Sequence, residues 1–353
     1  MLILLIIAGV IAVVVLFLAV LTVVHQTRSS SEYERLEAPG EVVEVAGHKM
    51  HVYLEGKHAN ENAPLLVFLV GSSDPFPVFT FRPLYSKLSK THRIALVERP
   101  GFGYSEETNQ PRDIDRILSE TRTALSLVGE GDRQYILLPH SAAGLEALYW
   151  AHRYPDEIAG ILGLDMAVPQ AVSASKINPF VLKLVKLLAF IGVHRLSGVA
   201  MMNGIVDLSA IEKDLSVQDR EQMKLLFNTT MYKNVDKETP EYLKAAQLIE
   251  EQGILNKPMI LFYSGKFEMM GSKPGSWLKH KKQFALEHNV PLIHIDAGHL
   301  LMSEKPEPIA NKLMILWPLC NAKNELFVRE SNKKTFRSNR LRITSLIDQK
   351  VFL

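Results

Sequence analysis

Apolar runs that alternate with helical segments constrain the fold of this chain more than any other feature. The runs are almost wholly hydrophobic, which is typical of strands buried on both faces of a sheet. They cover residues 65–70, 93–97, 135–138, 161–164, 259–263 and 292–295. Segments with helical spacing cover residues 84–89, 114–128, 145–154, 277–288 and 308–317. This alternation predicts an α/β fold whose mostly parallel sheet is covered by helices on both sides.

The exception is residues 169–257, where helical patterning continues without a strand-like run. A chain of 353 residues is long enough for one domain that carries an insertion. We therefore expect a core formed by residues 41–168 and 258–320, with a helical cap inserted at residues 169–257. Residues 25–40 are predicted to link this body to the N-terminal segment.

The N-terminal segment, residues 1–24, contains no charged side chain. As a helix it would be about 36 Å long, enough to cross a hydrocarbon core of about 30 Å. It lacks the basic start and the small-residue cleavage site of a signal peptide. The sequence therefore predicts a retained single-pass helix in the plasma membrane. Arg28 and Arg35 favour a cytoplasmic body, but Glu32 and Glu34 leave the orientation open.

The C-terminal segment, residues 321–353, contains eight Lys/Arg and three Asp/Glu, a net charge of +5 in a chain that carries +2 overall. We expect a weakly ordered tail, with contact to anionic lipid as the alternative. The main body has no basic stripe interleaved with aromatic residues, so nucleic acid is not an expected partner. The single cysteine, Cys320, excludes an intramolecular disulfide.

A serine between a strand-like run and a helical segment predicts a catalytic nucleophile. The run at residues 135–138 leads to Ser141, which is followed by small residues and then by a helical segment. A sharp strand-to-helix turn of this kind exposes the serine hydroxyl at the top of the sheet. Ala143 provides the small side chain that the turn needs, whereas Pro139 stands where the usual pattern has Gly.

Other polar residues follow the apolar runs at the same predicted edge of the sheet. In such sheets ligands bind beyond the carboxyl ends of the strands. Asp165 follows the run at 161–164, Glu268 the run at 259–263, and His299 the run at 292–295. Serine, acid and then histidine is the chain order expected of an α/β-hydrolase.

The chain resembles capped α/β-hydrolases over residues 41–318, on the strength of three motifs in the right order. Residues 98–105, ERPGFGYS, are similar to the D-x-P-G-x-G-x-S loop of that family, with Glu98 in place of Asp. Residues 139–144, PHSAAG, resemble its G-H-S-x-G-G motif. Gly298 and His299, with Glu304 and Pro306, resemble its histidine loop. The resemblance implies a membrane-anchored serine hydrolase with a helical cap.

A serine hydroxyl needs a base, and that base needs a carboxylate to hold its tautomer. His299 is the candidate base, whereas His140 is expected to pack into the turn. Glu268 stands where the family usually places its acid, but as Glu rather than Asp. Asp165 stands at an alternative position used in some relatives. Both carboxylates remain candidates on the sequence alone.

Two main-chain N–H groups are expected to form the oxyanion hole, those of Ala142 and Ser72. Relatives commonly carry His-Gly in the loop after the run at 65–70, and Val70 replaces the His. A backbone donor is all that is required, so the replacement still allows an oxyanion hole to form. The histidines show no metal-ligand spacing, and we expect neither a metal nor an organic cofactor.

These residues predict a serine hydrolase that cleaves an ester or related acyl bond of a small molecule. The sequence does not determine how many subunits the enzyme has. Ser141 argues against the Asp nucleophile that epoxide hydrolases and haloalkane dehalogenases of this fold use. One alternative is a proline-releasing aminopeptidase, in which a cap acid would bind the substrate amine. The candidates for that acid are Glu212, Asp214 and Glu241. The other alternative is an inactive hydrolase fold that acts as a membrane-bound binding protein.

Within the cap, residues 179–191 are apolar nearly all round and contain two lysines three residues apart. This segment is too short to cross a bilayer. We expect a helix packed over the active site, with a lid that enters the lipid interface as the alternative.

Overall fold

The computed structural model describes residues 1–60, 63–72, 74–176, 178–198, 208–230, 233–269 and 271–313. The predicted basic tail at residues 321–353 and Cys320 lie outside these residues.

In the described part of the chain, eight strands form one sheet in the order β1-β2-β4-β3-β5-β6-β7-β8. They are β1 (Glu41–Val45), β2 (His48–Glu55), β3 (Leu65–Leu69), β4 (Ile94–Val97), β5 (Tyr135–Pro139), β6 (Ile158–Leu164), β7 (Met259–Tyr263) and β8 (Leu292–His294). β2 pairs antiparallel with β1 and with β4, and the other pairs are parallel. The predicted mostly parallel sheet is therefore confirmed.

Helices surround this sheet. They are α1 (Leu2–Tyr33), α2 (Pro77–Thr80), α3 (Arg82–Leu88), α4 (Ile114–Leu127), α5 (Ala143–Arg153), α6 (Pro169–Ser173), α7 (Pro179–Ile191), α8 (His194–Ser197), α9 (Leu208–Glu212), α10 (Val217–Thr230), α11 (Val235–Gln252), α12 (Ser276–Glu287) and α13 (Leu301–Glu304). Residues 306–313 are also helical. The helices α6 to α11 lie between β6 and β7, as the predicted cap insertion requires.

Two hydrophobic cores lie on the two faces of the sheet, which explains why the strands are apolar at every position. Leu66 and Phe68 of β3 pack with Leu84 of α3 on one face. Val67, between them in sequence, packs with Trp150 of α5 on the other face. Successive side chains of a strand point to opposite faces, so a sheet covered twice needs a continuous apolar run.

The N-terminal helix α1 continues beyond its apolar part to Tyr33, so the first half of the predicted linker is helical. His25, Ser29 and Glu32 share one face of α1, and the Arg195 guanidinium donates hydrogen bonds to all three. These contacts tie α1 to the cap. The apolar part is long enough to cross a membrane, and its most apolar window is not buried against the described protein.

Candidate active site

Ser141 lies in the turn between β5 and α5, and its backbone φ is 52°. A positive φ is uncommon for a residue with a Cβ and persists only where neighbouring contacts hold it. The N–H groups of Gly144 and Ala167 both donate to the Ser141 carbonyl, at 3.0 and 2.7 Å. The turn thus places Ser141 at the carboxyl end of the central strand β5.

Pro139 occupies the last position of β5, paired with Leu69 of β3. The next residue, His140, donates its N–H to the Leu69 carbonyl at 3.0 Å. Successive residues of a strand direct their N–H groups to opposite neighbours, so position 139 faces β6. The β5–β6 register pairs Leu137 with Ile161 and resumes as an isolated bridge between His140 and Leu164. Pro139 lies in the gap between these two pairs, where a residue without an N–H interrupts the ladder.

Gly71, in the loop after β3, approaches the turn closely. A Cβ added at Gly71 would lie 2.8 Å from the Ser141 Cβ and 2.8 Å from the His140 Nδ1. Only a residue without a side chain fits that gap, so Gly71 allows the loop to pack directly on the turn. The neighbouring Ser72, a predicted oxyanion donor, is thereby held beside Ser141.

The substitution Gly71→Ala should lower kcat on a soluble ester by about 10²–10³-fold, the usual effect of losing one oxyanion donor. The added methyl group collides with the turn, so the loop and its N–H groups must move away from it. Steady-state hydrolysis of a p-nitrophenyl ester measures the change. Gly9→Ala is the control, because open space surrounds Gly9. A near-native kcat for Gly71→Ala would show that this loop supplies no oxyanion donor.

His299 lies in the loop between β8 and α13. Its ring stacks on Phe267 with 3.6 Å between ring centres and an interplanar angle of 8°. Gly298 donates its N–H to the Glu304 carboxylate at 2.8 Å, which closes the loop. His140 donates from Nε2 to the His299 carbonyl at 3.2 Å. The residue before Ser141 is thus bonded directly to the histidine loop.

His140, the residue before Ser141, connects the turn to the histidine loop at this edge of the sheet. The ring centre of His140 lies 4.5 Å from that of His299. Burial, and next the nearby His299 ring, hold the pKa of His140 well below its usual value, so the His140 ring is neutral. Among the hydrogen bonds of the described residues, none joins the Ser141 hydroxyl to His299. Such bonds are often long in unliganded enzymes and tighten when substrate binds.

Asp165 follows β6 and is fully buried. Its Oδ2 accepts hydrogen bonds from the His299 Nδ1 at 2.8 Å and from the Ser264 hydroxyl at 2.9 Å. Its Oδ1 accepts from the Trp277 Nε1 at 3.2 Å and from the Lys281 ammonium. Four donors therefore surround this carboxylate, and one of them is the candidate base.

The charge of Asp165 is strongly stabilised. Burial alone would raise the pKa of Asp165, but the Lys281 ammonium and the hydrogen bond from His299 outweigh burial and hold that pKa well below its usual range. Lys281 is itself buried, on α12. The carboxylate is consequently ionised at neutral pH and accepts the Nδ1–H of His299.

Glu268, the other candidate acid, lies in a different place. Its carboxylate accepts the backbone N–H of Gly275 at 2.6 Å and that of Trp277 at 3.1 Å. These N–H groups open α12, where unpaired donors and the helix dipole favour a negative charge. Glu268 thus caps a helix, and the structure brings Asp165 rather than Glu268 to His299.

Ala142, one predicted oxyanion donor, is the N-cap residue of α5, so its N–H has no intrahelical acceptor. Ser72, the other predicted donor, lies in the loop after β3. The Arg99 guanidinium donates to the carbonyl of Gly71 at 3.4 Å, in the same peptide unit as the Ser72 N–H. Because a peptide unit is planar, this contact orients that N–H as well.

Arg99 also links the core to the cap. Its guanidinium donates to Glu146 of α5 at 3.3 Å and to Glu238 of α11 at 3.2 Å. All three side chains are buried. The cap helix α11 is therefore tied to the loop beside Ser141 by a buried ion-pair network.

The cap acids of the aminopeptidase alternative lie on two helices. Glu241 is on α11 and pairs with Lys244 at 2.8 Å. Glu212 ends α9, and Asp214 follows it on the surface. Glu241 also lines a cavity that Ala142 lines, whereas the nearby Glu238 of α11 pairs with Arg99 at 3.2 Å.

Glu98, in the predicted Asp position of the loop motif, organises the backbone around the site. Its buried carboxylate accepts from the His51 Nδ1 at 2.9 Å, the Tyr104 N–H at 2.7 Å and the Val78 N–H at 3.2 Å. A Cβ on Gly103 would lie 2.1 Å from this carboxylate. The Glu98 carboxylate thus replaces the shorter Asp as a structural acceptor.

Sequence reasoning missed the residues that surround the histidine and its acid. Lys281, Trp277, Phe267 and Ser264 all contact Asp165 or His299. They come from α12 and from the segment after β7, and their spacing matches no motif. Only the folding of α12 against the end of β6 brings them together.

Comparisons with known proteins agree with this architecture. No family model matches the chain. The chain is 36% identical over 230 residues to the uncharacterized protein YbdG of Bacillus subtilis, and the match covers 64% of this chain and 68% of that protein. An enol-lactonase structure from Burkholderia xenovorans has a TM-score of 0.59 at 17% identity, covering 78% of this chain and 99% of that one. An alpha/beta hydrolase fold protein from Burkholderia ambifaria has a TM-score of 0.58 at 16% identity, with coverages of 79% and 98%.

Proposed function

We propose that this chain, which belongs to the same family as YbdG of Bacillus subtilis and has the fold of the α/β-hydrolases, is a serine hydrolase that cleaves an ester or related acyl bond. The observation that carries the proposal is the hydrogen bond from His299 to the buried Asp165, beside the strained turn at Ser141. Nucleophile, base and orienting acid then follow three different strands of one sheet, at the same edge.

In this mechanism the Ser141 hydroxyl attacks the acyl carbonyl as the Nε2 of His299 removes its proton. The tetrahedral oxyanion is held by the N–H groups of Ala142 and Ser72. His299 then gives the proton to the leaving alcohol, and an acyl-enzyme forms on Ser141. In the second half of the cycle His299 deprotonates a water molecule that attacks the acyl carbon; the bond to the Ser141 oxygen then breaks, His299 returns the proton to that oxygen, and the acid is released.

Asp165 acts through the Nδ1 of His299. The carboxylate accepts the Nδ1–H at 2.8 Å, which leaves Nε2 free of a proton and able to act as the base. It also stabilises the imidazolium that forms during attack. The opposite contact, to Lys281, fixes the carboxylate in a single orientation.

We further propose that residues 1–24 anchor the enzyme in a membrane. The contacts of His25, Ser29 and Glu32 with Arg195 support a retained helix, because they join the cap to the same helix that forms the apolar segment. A signal peptide is removed and has no reason to continue into a packed helix.

Labelling with a fluorophosphonate probe tests the catalytic proposal. The full-length protein in detergent should react covalently, and peptide mass spectrometry should map the adduct to Ser141. The Ser141→Ala variant should remain unlabelled, whereas Ser126→Ala, a serine on the outer side of α4, should be labelled like the native protein. Folded native protein that resists the probe would instead support the inactive binding protein.

A substrate panel then separates the two catalytic alternatives. Esters of increasing acyl-chain length report on an esterase, and aminoacyl amides report on the proline-releasing aminopeptidase. Turnover confined to the aminoacyl amides would overturn the esterase proposal, although Ser141 would still be labelled.

A further inference from the structure

The cap helix α7 exposes one apolar face. Its ends are well defined: Asn178 accepts the Phe180 N–H at 2.9 Å, Pro179 stands at the first position, and Gly192 ends the helix with φ 87°. Leu182 is buried against the protein. On the other side, five large apolar side chains are between 40% and 71% exposed, and we call them the apolar stripe: Phe180, Leu184, Leu187, Leu188 and Phe190.

An apolar stripe of this size on one helix marks an interaction surface, because soluble proteins rarely expose such patches to water. Lys186, on the flank of α7, pairs with Asp236 of α11 at 2.8 Å and fixes the rotation of the helix about its axis. The stripe therefore faces outward as a consequence of the fold, and its partner lies outside the described residues.

The C-terminal end of α7 abuts α1 where the apolar segment ends. The Gln26 side chain donates to the Phe190 carbonyl at 2.8 Å. A Cβ on Gly192 would lie 2.5 Å from the Cβ of His25, so the two backbones are in close contact. His25 and Gln26 directly follow residues 1–24. The last turn of α7 is thus held at the level where a membrane-crossing α1 leaves the hydrocarbon.

We propose that α7 docks on the bilayer that α1 crosses, with the apolar stripe lying in the lipid interface. Interfacial helices insert an apolar face while their basic side chains reach the headgroups. Lys183, exposed on the same face of α7 between Leu187 and Phe190, is placed to make that contact with its long side chain. Leu196 of α8 is also exposed, and its neighbour Arg195 donates a hydrogen bond to His25 of α1. Leu196 therefore adds a further apolar side chain near the point where α1 meets the cap.

The bilayer is the occupant because α1 brings it to the stripe. If residues 1–24 cross the membrane, the contact of α7 with His25 and Gln26 places Phe190 at the membrane surface. The same chain therefore brings the stripe and the bilayer together. A second copy of the chain would have to reach the same position beside α1. The proposal depends on α1 crossing a membrane and is independent of catalysis by Ser141.

Fluorescence quenching by labelled lipids tests this docking. In a Cys320→Ser background, Leu184→Cys and Leu286→Cys are each labelled with the dye NBD and reconstituted into phosphatidylcholine–phosphatidylglycerol vesicles. Leu286 is the matched control, an 84%-exposed leucine of α12. Because interfacial helices bury their apolar face by about 5–10 Å, shallow doxyl lipids should quench the Leu184 label about threefold more than the Leu286 label.

Three results would overturn the proposal. The two labels could be quenched equally by lipid and remain equally accessible to aqueous iodide. The excess quenching of the Leu184 label by lipid could disappear in nanodiscs that hold one chain each, which would identify a second copy of the chain as the partner. The chain could leave the vesicles in an alkaline carbonate wash. Circular dichroism of each labelled variant confirms that it is folded, and fluorophosphonate labelling reports separately on the catalytic proposal.

Discussion

Asp165→Asn should lower kcat on a p-nitrophenyl ester by about 10³–10⁴-fold, as expected when the acid that holds a catalytic histidine is lost. An amide in this position can donate to Nδ1 and so favours the wrong tautomer of His299. Glu268→Gln is the matched control at the other candidate acid. Because Glu268 bonds to the start of α12, its substitution should change kcat by less than about threefold and cost about 0.3–1 kcal/mol of stability.

Asp165→Asn also leaves Lys281 buried without its counter-ion, so a fall in the activity of this variant could reflect unfolding. The double variant Asp165→Asn/Lys281→Met separates the two effects. It removes the unpaired charge and should regain thermal stability, while its kcat stays as low as that of Asp165→Asn. Recovery of activity together with stability would mean that Asp165 has no role in orienting His299.

Lys281→Met should destabilise the protein by about 3–5 kcal/mol at neutral pH, the usual effect of removing one partner of a buried ion pair. Asp165 would remain ionised and buried with only neutral donors and His299 around it. Urea unfolding of the full-length protein in detergent measures the change. Lys282→Met, an exposed lysine next in sequence on α12, should have little effect.

The destabilisation should depend on pH in a defined direction. The folded-state pKa of Asp165 is depressed, so its ion pair contributes stability that is fully present above its unfolded pKa of about 4. That contribution is lost as pH falls below about 4 toward the folded pKa. The difference between native protein and Lys281→Met should therefore shrink in acid. A difference that stays constant from pH 7 to about pH 3 would contradict a charge-based role for Lys281.

The fold was largely predictable because its signal is local and repeated. The continuous apolar runs reported strands buried on both faces, and the structure places them in the sheet with Leu66 and Val67 on opposite faces. The long stretch without a strand predicted the cap. The helical extension of α1 to Tyr33 was not predicted, since Arg195, its partner, lies 163 residues from Glu32 in the chain.

The proposed nucleophile, Ser141, and the proposed base, His299, were candidates from the sequence alone, because each follows a recognisable apolar run. Pro139 looked like a departure from the motif, and the structure places it in a gap of the β5–β6 pairing, between the Leu137–Ile161 pair and the His140–Leu164 bridge. Glu268 illustrates the limit of such reasoning. It occupies the expected position along the chain, yet its carboxylate accepts hydrogen bonds from the N–H groups at the start of α12.

The sequence by itself determined the alternation of strands and helices, the cap, the apolar N-terminus and the residues Ser141 and His299, because each depends on short-range pattern. Only the tertiary structure decided which carboxylate meets His299, that Lys281 neutralises it, and that α7 abuts α1. These are contacts between segments far apart in the chain. They depend on how α12 packs against β6 and how the cap packs against α1, which no local pattern of residues encodes.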